Sequence, residues 1–137
     1  MGRILALDYG TKRTGVAVTD ELQLIASGLD TVETIELLPF LEAYFKAETV
    51  SVVVIGEPKQ KDGTHSQLEE EIKLFLQKFE EQFPDMQIAR MDERFTSKLA
   101  FQAMLDGGLG KKKRQDKALV DEISATLILQ DYLNTKA

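Results

Sequence analysis

Three carboxylates in this chain of 137 residues sit where a carboxylate is costly or out of place. Asp8 closes the run "ILALD", on the same face as Ile4 and Ala6 by the two-residue period of a strand. A charge there is expensive unless it is paired or holds a metal. Glu93 stands just beyond a second strand-like run, in "MDERFTS". Asp121 falls in the first turns of a helical pattern, in "KALVDEISATLIL", with Lys117, Ser124, Ala125 and Ile128 as helical neighbours. Helical spacing alone leaves Asp121 and Glu122 as alternatives. Acids drawn from distant segments, in a chain with no cysteine and one histidine, suit a hard cation. Mg²⁺ (or Mn²⁺) binds through one or two carboxylates, with substrate phosphates completing its shell. Two such ions activate a water and stabilise the leaving oxygen of an in-line phosphoryl displacement.

A polyanionic substrate also needs cations. The net charge of −6 argues mildly against such a partner, but the charge is unevenly spread. Of 17 Lys and Arg residues, eight fall between Arg90 and Lys117: Arg90, Arg94, Lys98, Lys111, Lys112, Lys113, Arg114 and Lys117. Lys12 and Arg13 stand on the turn just after Asp8, where Gly10 and Gly15 leave room for the chain to tighten and for a phosphate backbone to approach. Each feature alone has a plainer reading. Asp8 before Tyr9-Gly10 reads equally as a turn former, Glu93-Arg94 as a surface ion pair, the lysine run as a solvated loop and His65 as a structural residue.

The elements that must carry these residues follow from pattern. Arg3–Asp8, Gly15–Thr19 and Leu24–Thr31 read as three strands of an antiparallel meander. Ile35–Ala47 has the spacing of a helix, with Ile35, Leu38, Leu41 and Phe45 on its stripe. Val50–Ile55 is a continuous apolar run of the kind buried on both faces of a sheet. Ser66–Phe83 is an amphipathic helix with Leu68, Ile72, Phe75, Leu76 and Phe79 on one stripe, followed by a short strand, Met86–Asp92. Thr96–Leu105 and Asp116–Leu133 read as helices on either side of a Gly- and Lys-rich loop, Gly107–Gln115. The order predicts an α/β fold: a mixed five-stranded sheet, three strands antiparallel and then two parallel, flanked by helices on both faces. Residues 1–137 are expected to form one domain.

Several chemistries are excluded. The absence of cysteine removes disulfides and thiolate sites and fits a reducing cytoplasm. No apolar run approaches the roughly 18 residues of a membrane span. There is no G-x-x-x-x-G-K-[ST] loop, no G-x-G-x-x-G fingerprint and no G-x-S-x-G elbow.

Four segments, taken in order from Arg3 to about Tyr132, resemble the YqgF (RuvX) family, the RuvC-like branch of the ribonuclease H-like superfamily. They are "LALDYGTKRTGVAV", "VVVIGEPKQKDGT", "MDERFTS" and "GGLGKKKRQDKALVDEISATLIL". The resemblance implies a ribonuclease H-like fold and a metal-dependent nuclease. It implies catalytic and metal-binding roles for Asp8, Glu93 and Asp121, in favour of Asp121 over Glu122. Lys12, Arg13, Arg94, Lys111, Lys112 and Lys113 are expected to hold the nucleic-acid backbone. The implied substrate is RNA, precursor 16S rRNA at its 5′ end, or alternatively branched DNA at a Holliday junction. The expected protein is cytoplasmic, with no membrane partner, and a monomer or weak homodimer. Two competing readings remain: a non-catalytic nucleic-acid binder, and an ATPase using Asp8-Tyr9-Gly10-Thr11 as a phosphate loop. Two departures from the family pattern stand out. Gly56-Glu57-Pro58 replaces the usual Gly-Leu-Pro, so that Glu57 either repels substrate or assists a metal, and the fourth acid of RuvC-type resolvases has no clear match.

Overall fold

A computed structural model describes residues 2–58, 67–92 and 117–136, with side chains from 120 onward in the last segment. In chain order these residues form β1 (Arg3–Asp8), β2 (Arg13–Thr19), β3 (Ala26–Glu33), α1 (Leu37–Ala47), β4 (Val50–Glu57), α2 (Gln67–Gln82), β5 (Gln87–Asp92) and α3 (Lys117–Lys136). The strands make one sheet in the order β3-β2-β1-β4-β5. β1 to β3 pair antiparallel, whereas β4 runs parallel to both β1 and β5. This is the mixed sheet that the apolar pattern predicts. The expected helix Thr96–Leu105, the loop Gly107–Gln115 and His65 lie outside the described residues.

The alternation of β1 divides the molecule. Leu5 and Leu7 point to a core shared with α1 and α2, together with Val16, Val53, Ile55, Ile72, Phe75 and Phe79. Ile4 and Ala6 point to the opposite face, against Ala125, Ile128 and Leu129 of α3. The first core is built on rings. Tyr9–Phe75, Phe75–Phe79, Phe79–Phe83 and Phe83–Phe45 follow one another at centroid separations of 5.4, 6.0, 5.0 and 5.0 Å. Such tilted and edge-on pairs add to the area they bury. The second core is thin, with alanines at positions 6, 17 and 125.

Three elements depart from their expected form. β3 starts at Ala26 rather than Leu24 because Asp20 captures the preceding backbone. Its Oδ1 accepts from the amides of Leu24 (2.9 Å) and Ile25 (2.8 Å), and its Oδ2 from Leu22 (3.0 Å). Gln23, at φ 60°, completes this tight loop. The first helix starts at Leu37, because Thr34–Glu36 forms a 3₁₀ turn; Leu37 and Leu41 are buried while Ile35 is 84% exposed. In α2, Glu69 is buried, between the apolar positions that make the expected stripe. Its two carboxylate oxygens accept from the Arg90 guanidinium at 2.8 and 2.9 Å, a bidentate pair.

Candidate active site

Asp8 ends β1 at the carboxyl end of the central strands, on the α3 face with Ile4 and Ala6. Across the antiparallel ladder its partner is Gly15 of β2. Directly opposed residues project to the same face, so the place that a Gly15 side chain would fill lies beside Asp8. That place is taken by α3: a Cβ on Gly15 would run into the main-chain carbonyl of Asp121. Asp121 therefore enters the site with its backbone seated in the groove that the glycine leaves. The main chain of Asp121 thus packs against the ladder partner of Asp8.

The next helical residue goes elsewhere. A Cβ on Gly28 of β3 would lie 3.1 Å from Oε1 of Glu122, so Glu122 packs over the edge strand instead. The two residues that helical spacing leaves as alternatives therefore lie against different strands, Asp121 over Gly15 of β2 and Glu122 over Gly28 of β3. Gly15 does a different task from the one expected of it. It lies inside β2 and admits a helix, while the turn itself tightens at Gly10, where a Cβ would collide with the carbonyl of Arg13.

Arg13 also bonds inward. Its Nε donates to Oδ2 of Asp121 at 3.1 Å, with side-chain exposures of 40% and 25%. Lys12, its neighbour, is exposed on the turn. The turn is braced from behind: the Thr34 amide donates to the Lys12 carbonyl at 2.9 Å, and the Thr34 hydroxyl to the Gly10 carbonyl at 2.6 Å. Thr11 donates to Oε2 of Glu71 on α2 at 3.0 Å. No periodicity announces these braces, because each joins a turn to a helix distant in sequence. Arg90 is spent structurally. Besides Glu69 it bonds the carbonyls of Ile55 (3.2 Å) and Gly56 (3.0 Å), so it fixes the end of β4 rather than standing ready for a phosphate.

Glu57 and Asp92 are register partners at the ends of β4 and β5, on the same edge of the sheet as Asp8. Glu93, Arg94, Lys111, Lys112 and Lys113 lie outside the described residues. Among the described residues no group of three His, Cys, Asp or Glu side chains gathers as a metal centre. Asp8 and Asp121, placed on either side of Gly15, offer only hard oxygen donors. That donor set fits Mg²⁺, which takes one or two carboxylates and leaves its other positions to water and phosphate.

The sequence matches the RuvX family, described as "Holliday junction resolvase", over residues 2–135. The chain belongs to this family. A protein of Christiangramia forsetii named "Putative pre-16S rRNA nuclease" is 68% identical over 133 residues, covering 97% of this chain and 98% of its own. One of Flavobacterium psychrophilum with the same name is 61% identical over 136 residues, covering 99% of both chains. The fold is also that of the fowlpox virus Holliday junction resolvase, at a TM-score of 0.54 and 13% identity over 98% of this chain and 99% of that one. The RuvX assignment thus agrees with the ribonuclease H-like architecture on topology as well as on sequence. No helix of the described residues is long and apolar enough to cross a membrane.

Proposed function

We propose that this RuvX protein is a metal-dependent endonuclease that hydrolyses phosphodiester bonds of structured RNA, and that it matures the 5′ end of 16S rRNA in the cytoplasm. One observation carries the reading: the main chain of Asp121 is seated on Gly15, the ladder partner of Asp8, which supports a shared site for the two acids. A pure nucleic-acid binder has no use for paired acids turned toward phosphates. The names of the full-length relatives support the substrate class.

In this reading Asp8, Glu93 and Asp121 hold Mg²⁺ or Mn²⁺. A metal held there would supply an activated water and charge stabilisation at the phosphate. The chain's own residues do the rest. Asp8 and Asp121 provide the anionic seat, and Arg13 holds the Asp121 carboxylate in place at 3.1 Å. Lys12, Arg94, Lys111, Lys112 and Lys113 attract the backbone, which makes binding salt-dependent.

The test is cleavage of precursor 16S rRNA and of a four-way DNA junction, with and without Mg²⁺, by the wild type and by Asp8→Asn. Wild-type protein should cut the RNA only with metal. Asp8→Asn should lose more than about 100-fold, since even changes behind a metal ligand cost 10–100-fold. Cutting of the junction in preference to the RNA would move the function to DNA resolution. Full activity of Asp8→Asn would overturn the site.

A further inference from the structure

Tyr9 follows Asp8 in sequence and therefore leaves the strand on the opposite face. It opens onto a groove of about 430 Å³ between β1, α1 and α2. The walls are largely apolar: Tyr9 over the buried Phe75, tilted against each other at 5.4 Å, with Leu38 beside them. Two large apolar side chains at its rim face solvent, Ile35 at 84% and Leu74 at 61% exposure. The polar groups are few. Thr11 and Thr34 come from the turn and its brace, and Glu71 and Lys78 from α2.

We propose that this groove is a subsite for one unpaired nucleobase, of the kind that carries an exocyclic amino group, on the strand whose phosphate lies at Asp8 and Asp121. The inference rests on the nuclease reading and gives it a base specificity. Three observations carry it. The groove adjoins the turn after Asp8, since its lining residues Tyr9 and Thr11 flank Gly10 on the turn that bears Lys12 and Arg13. A strand crossing this edge of the sheet passes from one face to the other over that turn. Its chemistry suits a base rather than a phosphate: a carboxylate repels phosphate, while aromatic and aliphatic walls bind a flat π-face and tolerate every base. The discrimination comes from Glu71. Its Oε2 already accepts from Thr11 at 3.0 Å, and a carboxylate has further acceptor positions for an amino group. Cytosine presents an amino donor where uracil presents a carbonyl acceptor, so a carboxylate welcomes the first and rejects the second. Lys78 adds the cation that a neighbouring phosphate of that nucleotide needs. Burial, and then the charge of Glu71, hold the Tyr9 phenol above its ordinary pKa, which keeps it a neutral ring with a hydroxyl to share. Because Thr11 and Thr34 tie the groove to the turn, filling it also steadies the turn that presents Lys12 and Arg13.

The experiment uses full-length Asp8→Asn protein, which should not cut its ligand, without metal and with labelled backbone amides and Ile and Leu methyls. The probes are single-stranded oligo(C) and oligo(U) of equal length, read by NMR shifts and by affinity. Oligo(C) should move the methyls of Ile35, Leu38 and Leu74 and bind at least about fivefold tighter than oligo(U), a contribution in the range of one stacked, hydrogen-bonded base. Glu71→Gln should bring the two affinities within about twofold, and Leu74→Ala should weaken both. If RNA moves the amides of Lys12 and Arg13 but not these methyls, the base subsite is wrong while the nuclease reading stands. If neither set moves, both fall. Equal affinities for the two oligomers in the unaltered groove would overturn the specificity.

Discussion

The two faces of the sheet share the same strands but not the same residues. Toward α1 and α2, β1 gives Leu5, Leu7 and then Tyr9, and the helices answer with Leu37, Leu41, Phe75 and Phe79. Toward α3, the same strand gives Ile4, Ala6 and Asp8, opposed by Ala17 and Gly15 of β2. One face is thick and aromatic, and its large side chains hold the helices away from the backbone. The other is lined with small residues, and α3 comes down until a carbonyl replaces a side chain. Burial of large apolar area is what stabilises a domain. Close approach of a helix places a carboxylate with little freedom, which is what a metal site needs. The alternation of one strand thus separates a thick aromatic face from one on which α3 sits close to the backbone.

That contrast can be broken from either side. The largest effect is expected from Phe79→Ala on the aromatic face, where a fully buried ring at the centre of the ring series is removed. It should cost about 3–5 kcal/mol in chemical denaturation. Cleavage per folded molecule should fall far less than with a change at Gly15, any loss coming through Phe75 in the groove wall; a loss as large as that of Gly15→Ala would break the contrast between the faces. Gly15→Ala on the other face should cost less, about 1–3 kcal/mol, as overpacking does. Its activity should nevertheless fall by about 100-fold, the usual consequence of roughly 1 Å of misplacement. A fully active Gly15→Ala protein would show that α3 does not need its close seat.

The smallest effect concerns the loop of Asp20, which joins neither core. The amides of Ile25, Leu24 and Leu22 hold its carboxyl below the ordinary value of 3.8. A lowered folded-state pKa gives stability that is present above 3.8 and is lost as pH falls through the folded value. Amide protection at Leu24 and Ile25 should therefore drop below about pH 3.8 while the sheet stays folded. Asp20→Asn keeps one acceptor oxygen and should preserve protection at Leu24 and Ile25 better than Asp20→Ala does.

Much of this was legible in the sequence, for reasons visible residue by residue. The period of two in "ILALD" put Asp8 on the correct face. The apolar run Val50–Ile55 marked a strand covered on both sides, and the order of elements gave the mixed sheet. What escaped depended on partners far apart in the chain. Adjacent helical residues differ by only about 100° around the axis, so spacing left Asp121 and Glu122 open, and their different seats, over Gly15 and over Gly28, appear only in the structure. Arg90 reads from the sequence as one of the clustered cations, because nothing local marks Glu69, 21 residues away, as its partner. Paired at 2.8 Å, they go inside. Ile35 kept the helical spacing but fell in the turn before the helix, and so became the rim of a groove.

Asp8 and Asp121 are proposed to form one metal seat across Gly15. Paramagnetic broadening by Mn²⁺ tests it without any substrate. In wild-type protein, substoichiometric Mn²⁺ should broaden the backbone amides of Asp8, Gly15 and Asp121 first, leave Phe75 and Phe79 sharp, and lose this pattern in Asp8→Asn. Broadening centred elsewhere, or unchanged by Asp8→Asn, would contradict the account.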